Sequence, residues 1–191
     1  MDPAPHALIS IFFSVLLLGA SLHKFSDRVR FQGIVSSYRL VPAPLLVTIA
    51  LGIPVLELGI GLAWLVGLQP KLVALATALL LTTYTLAIGI NILRNNTEID
   101  CGCGFSGTTD KSTSYQTLTL ALPLRNILLI ALALLPLLPT THRLLGLVDY
   151  LSIALGSVVM LLLYAALNQL MANWQIINNW RSGRGEGPAH G

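Results

Sequence analysis

The chain has 191 residues, of which 54% are hydrophobic and 10% charged, with a formal net charge of +3 and a mean hydropathy of +0.76. A soluble domain carries about a quarter charged residues, so this chain lacks the charge to cover a globule in water, and lipid is its expected solvent. The positive charge is spread along loops without a basic patch interleaved with aromatics, which leaves nucleic-acid binding without support.

A membrane-crossing helix needs roughly 20 apolar residues, and five segments approach that length. Ala7 to Leu22 is the first, slightly short. Only Asp2 and His6 titrate ahead of it and no A-x-A cleavage site follows, so a retained helix is expected rather than a cleaved signal. Pro44 to Leu68 is the second, with Glu57 as its one charge. Leu72 to Leu93 is the third, bounded by Lys71 and Arg94. The fourth runs from about Thr117 to Leu138 and is interrupted by Pro123 and Arg125; the fifth covers Leu144 to Leu170. Backbone polar groups in lipid must pair internally. The expected fold is therefore all-α, a polytopic helical bundle of about five spans, read as a four-helix core plus one additional helix. Residues 1–172 form one transmembrane domain, and 173–191 a polar tail whose end, "RSGRGEGPAHG", is expected to be disordered. No internal repeat or separate soluble domain is visible.

The loops divide the cations unequally. Lys24, Arg28, Arg30, Arg39, Arg94, Lys111, Arg125, Arg181 and Arg184 fall to one side, and Lys71 and Arg143 to the other. The positive-inside rule assigns the richer side to the cytoplasm.

That richer side holds the loop "EIDCGCGFSG", with both cysteines of the chain, Cys101 and Cys103. Two cysteines placed at random fall at this spacing about one time in a hundred. Three chemistries suit the pair. A redox dithiol is favoured: a C-G-C turn brings the Cα atoms within bonding reach, strain raises the reduction potential, and Gly102 and Gly104 accept the backbone demand. Half of a metal site needs further ligands, for which only His23 and His142 are at hand. An inert bond would close almost no loop and stabilise little.

Charges inside spans need partners. Glu57 is either a proton-handling or cofactor-contacting group, or half of an ion pair with Lys24 or Arg125 that locks the bundle. Pro54, one turn earlier, frees a carbonyl and bends the helix toward that site. Arg125 either lowers a thiol pKa or holds a ligand carbonyl, or snorkels to the interface, as do His23-Lys24-Phe25 at the end of the first span. Arg125, Glu57, Asn126 and Lys24 are the candidate cofactor-binding residues, Cys101 and Cys103 the catalytic pair, and no metal site is assigned.

"HKF" (23–25), "YRLVP" (38–42), "PVLE" (54–57), "DCGCG" (100–104) and "RN" (125–126) together resemble the MauE branch of the DoxX-like membrane proteins. The cysteine motif is the specific part. One departure is that Gly104 precedes Phe105, where members often carry Phe-Gly directly after the second cysteine. The resemblance implies a multi-pass protein of the bacterial inner membrane acting in thiol–disulfide exchange. Its implied partners are a thioredoxin-like MauD-type protein and the methylamine dehydrogenase small subunit or another disulfide-rich exported client. Quinone, ubiquinone or menaquinone, is the acceptor implied by analogy with DoxX and DoxD. A scaffold for the maturing subunit with metal-binding or idle cysteines is the alternative, and a small transporter with Glu57 on its path a third. Disulfide chemistry belongs outside the cytoplasm, against the charge tally; an outward-facing cysteine loop is the favoured expectation.

Overall fold

A computed structural model describes residues 3–94, 96, 121–139 and 145–183. All regular elements among them are helical: α1 (Pro3–Ser26), α2 (Arg28–Ser37), α3 (Leu46–Val66), α4 (Pro70–Leu93), α5 (Ala121–Leu134) and α6 (Leu147–Gly183). Single 3-10 turns precede α3 at Ala43–Leu45 and follow α5 at Leu135–Leu137.

Four stretches are long and apolar enough to cross a membrane: Pro3–Ser26, Ala43–Val66, Pro70–Leu93 and Leu147–Met171. The expected fourth span appears as the shorter Ala121–Leu137, and its first residues, 117–120, lie outside the described residues. Pro123 falls in the first described turn of α5, and Pro136 ends the helix. Proline lacks the N–H that the next helical bond needs and disfavours helical backbone in the residue before it. Leu124, Leu155 and Leu162 are exposed on the outer faces, as lipid-facing residues must be.

Local chemistry sets the ends. Asp27 caps α2, its carboxylate accepting from the Arg30 N–H at 3.1 Å. This short helix, which hydropathy alone did not indicate, turns Phe31 into the interior. Gly67, at φ 71°, closes α3, with Leu68 N–H on Ala63 O and Gly67 N–H on Trp64 O. That double closure needs a left-handed residue, which glycine supplies without penalty. Pro70 then opens α4. Helix α3 continues through the buried Pro54. Helix α6 is longer than expected: it continues past Asn173 to Gly183. Its 37 residues reach about 55 Å, well beyond a hydrocarbon core of about 30 Å.

Helix α1 is the hub. Ile9, Phe12, Phe13, Leu17, Ser21 and Lys24 are buried, a stripe at helical spacing, and α1 packs on α3 and α6 and touches α2 and α5. Phe13 stacks on Trp64 of α3 at 5.8 Å, and Phe12 meets Tyr164 of α6 edge-on at 6.0 Å. The Trp64 indole donates to Thr77 Oγ1 of α4 at 2.8 Å. Contacts Phe13–Trp64, Leu18–Gly61 and Lys24–Glu57 run in opposite chain directions, so α1 and α3 are antiparallel. Trp64–Thr77 and Glu57–Tyr84 make α3 and α4 antiparallel as well.

Candidate functional site

Helix direction places the ends of α1 and α4, the start of α5 and all of α2 at one end of the bundle. There Ile88 of α4 packs with Leu122 of α5, against Ile92 and Tyr38. Cys101 and Cys103 lie outside the described residues. The chain leaves for them from the end of α4 and returns into α5, so both flanks of the dithiol segment belong to this end of the bundle.

Two polar clusters are buried beneath it. In the first, Lys24 of α1 donates to Glu57 Oε1 of α3 in a buried ion pair. The Tyr84 hydroxyl of α4 donates to the same oxygen at 2.6 Å, and Lys24 Nζ lies 3.3 Å from that hydroxyl. The ammonium also sits over the rings of Tyr84 and Phe31, at 5.0 and 5.3 Å from their centroids. Lys24 is 4% exposed and Glu57 1%. Glu57 Oε2 meets no hydrogen-bond donor among the described residues. One carboxylate thus joins three helices, and two aromatic faces share the cation's field.

In the second cluster, Arg125 of α5 donates from Nη1 to Asn168 Oδ1 of α6 at 2.6 Å and from Nη2 to Asn126 Oδ1 at 3.3 Å. Its guanidinium lies 5.7 Å from the centre of the Tyr164 ring. Arg125 is 8% exposed and Asn126 2%. Asn126 Nδ2, buried in the same place, meets no acceptor among the described residues.

The candidates from the sequence therefore separate into two pairs. Glu57 takes Lys24 and not Arg125. Lys24 turns inward instead of anchoring the interface: it continues the Leu17–Ser21 stripe of α1, whereas His23 falls on the exposed side. Arg125 does not snorkel, because its two donor arms are engaged inside the bundle. Sequence reading missed Tyr84, Phe31 and Asn168. Tyr84 and Asn168 each left a trace, as polar-tipped residues inside aliphatic runs ("LLLTTYTLAI" and "YAALNQL"). Among the described residues no group of three His, Cys, Asp or Glu side chains is gathered for a metal.

Comparison with known proteins gives one consistent answer. The family model described as methylamine utilisation protein MauE matches residues 3–139, a range that holds both polar pairs and both cysteines and excludes α6. The chain is 35% identical over 126 residues to methylamine utilization protein MauE of Paracoccus denitrificans, covering 66% of this chain and 64% of that one. It is 36% identical over 102 residues to the protein of that name from Methylophilus methylotrophus, covering 53% of this chain and 54% of the relative. For the Paracoccus versutus protein the figures are 33% over 133 residues, 70% of this chain and 68% of the relative. The first two matches thus span less than two thirds of the relatives' length. No solved structure matches. With a hydrophobic bundle, a family model that matches residues 3–139 and relatives of a single name, the chain belongs to the MauE family of methylamine utilisation proteins.

Proposed function

We propose that this multi-pass membrane protein acts in methylamine utilisation as a thiol–disulfide redox protein of the bacterial inner membrane, with Cys101 and Cys103 as its dithiol. What supports the reading is a conjunction: the segment carrying both thiols of the chain springs from the end of the bundle where Arg125 and Asn126 are buried. A thiolate of a thioredoxin-like, MauD-type partner attacks one sulfur of the Cys101–Cys103 disulfide. The S–S bond breaks and a mixed disulfide forms. The partner's second thiolate resolves it and leaves with its own disulfide, so two electrons and two protons remain here as two thiols. The oxidised partner serves the methylamine dehydrogenase small subunit or a similar exported client.

Reoxidation needs a two-electron acceptor, and a quinone (ubiquinone or menaquinone), when bound, supplies that chemistry. The residues fit such a group at one point: Asn126 Nδ2 is a buried N–H donor without an acceptor among the described residues, beside the Arg125 guanidinium, which suits a carbonyl oxygen. Asn168 and Tyr164 fix the guanidinium. Lys24 and Glu57 Oε1 are spent on each other, and we assign the pair to holding α1, α3 and α4, with Glu57 Oε2 left as a buried acceptor without a donor among the described residues.

We keep the dithiol outward-facing because its proposed client is exported. Burial of Lys24 and Arg125 removes two cations from that end, while Arg28, Arg30, Arg39 and Arg94 remain exposed there, so the positive-inside tally still points the other way. Purified protein given a reduced thioredoxin-like donor should reduce a quinone analogue, and Cys103→Ser should abolish the reaction. Turnover by that variant would refute the scheme. A membrane-impermeant thiol reagent should label Cys101 and Cys103 in intact cells once the outer membrane is permeabilised; labelling only after cell lysis would place the chemistry on the other side.

A further inference from the structure

At the same end of the bundle, between the end of α2 and the end of α4, lies a cavity of about 340 Å³ lined by Tyr38, Arg39, Asn91, Arg94 and Asn96. It is separate from both polar clusters and takes no part in the redox scheme. Its walls are held in place. The Asn96 N–H bonds Asn91 O at 3.0 Å, and its side-chain Nδ2 donates to Asn91 Oδ1 at 3.1 Å and to Ser37 O at 3.3 Å. Asn91 is fully buried and donates to Ala87 O at 2.9 Å. Asn96 therefore ties α2 to α4 across the floor of the cavity.

The two cations of the rim have no such role. Neither Arg39 nor Arg94 meets a carboxylate among the described residues. Arg39 is held at φ 51°, a backbone conformation that L residues adopt at a cost and that persists where the surroundings impose it. Two guanidiniums give the wall its donors and two positive charges. A guanidinium presents a planar fork suited to the oxygens of a phosphate. Depth agrees. Helix α4 has 24 residues from Pro70 to Leu93, about 36 Å, enough to cross the hydrocarbon and set Arg94 among headgroups. Leu93, beside it, is 86% exposed, as a side chain in acyl chains would be.

We infer that this cavity is an anion site that takes a phosphate diester, the headgroup of an anionic phospholipid, with Arg39 and Arg94 as its two charged arms. Basic pockets between membrane helices take phospholipid headgroups in this way. The site stands independently of the redox proposal, and each can fail without the other.

The test uses the full chain purified in neutral detergent, with native mass spectrometry as the readout. Wild type should retain one phosphatidylglycerol per chain, and Arg39→Gln/Arg94→Gln should bind it roughly thirtyfold more weakly, about 2 kcal/mol at 1.4 kcal/mol per tenfold. Phosphatidylcholine, whose headgroup is neutral overall, should bind no better to wild type than to the variant. Inorganic phosphate is the second arm: binding or displacement by phosphate that is lost in the variant supports the anion site with a free anion as ligand. Equal binding of the two lipids, or a double variant indistinguishable from wild type towards both lipid and phosphate, overturns the inference. Both arginines are exposed, so folding should survive; if the double variant is not monodisperse, Arg94→Gln alone carries the test, with roughly fivefold weaker binding expected.

Discussion

Splitting the Lys24–Glu57 pair is the sharpest perturbation available. Both charges are withdrawn from solvent, so each depends on the other. Lys24→Met leaves the Glu57 carboxylate, 1% exposed, with the Tyr84 hydroxyl on Oε1 and no donor on Oε2 among the described residues. Removing one partner of a buried pair typically costs 3–5 kcal/mol, and about 4 is expected here. Glu57→Leu strands the ammonium, but the Tyr84 and Phe31 rings at 5.0 and 5.3 Å remain. Desolvated cation–π contacts contribute up to about 2 kcal/mol, so the loss should sit near the low end, about 3. The double variant Lys24→Met/Glu57→Leu buries no charge and orphans only the Tyr84 hydroxyl, at about 1–3 kcal/mol. It should therefore be more stable than either single variant, with a coupling energy of at least about 3 kcal/mol. Equilibrium unfolding in mixed micelles of rising SDS fraction, followed by tryptophan fluorescence, measures all four corners. Additive losses, or a Lys24→Met cost below about 0.5 kcal/mol, would refute the claim that this pair locks three helices.

Three further outcomes follow from the packing. An added Cβ on Gly61 would lie 3.0 Å from Leu18 Cγ and 3.2 Å from its backbone nitrogen. Gly61→Ala should therefore lose about 1 kcal/mol net, with overpacking of about 1–3 kcal/mol outweighing a helix-propensity gain of about 1. Gly156→Ala crowds the terminal Cδ1 of Leu8, at 2.6 Å, with Leu8 Cγ at an ordinary 3.8 Å; the terminal methyl can rotate away, so its midpoint in the same unfolding assay should stay near wild type. Asn168→Ala removes the acceptor of Arg125 Nη1 and should cost about 1.5–3 kcal/mol, the range for hydrogen bonds to charged groups; an unchanged midpoint would show that α6 does not hold the arginine.

Solvent, class and most of the spans were legible from composition and hydropathy. Hydropathy over about 20 residues is a local property, and apolar runs of that length satisfy their backbone in lipid as helices. The need of Glu57 for a partner was legible too, since an uncompensated charge at that depth is too costly, whereas Arg125 stayed open between an interior role and the interface; the motifs around them were enough to suggest the family. Tertiary structure alone decided the partners. Glu57 was open to Lys24 or Arg125 until the rotation of α1 turned Lys24 inward and the packing of α5 on α6 brought Asn168 to Arg125. Helix α2 stayed hidden because its burial rests on Phe31 packing beneath Lys24, not on a hydropathic run. Tyr84 and Asn168 are 27 and 43 residues from the groups they bind, and no local pattern encodes which faces of two helices will meet. Pairing inside a bundle depends on the depth and rotation of whole helices, and those are set only when all of them pack.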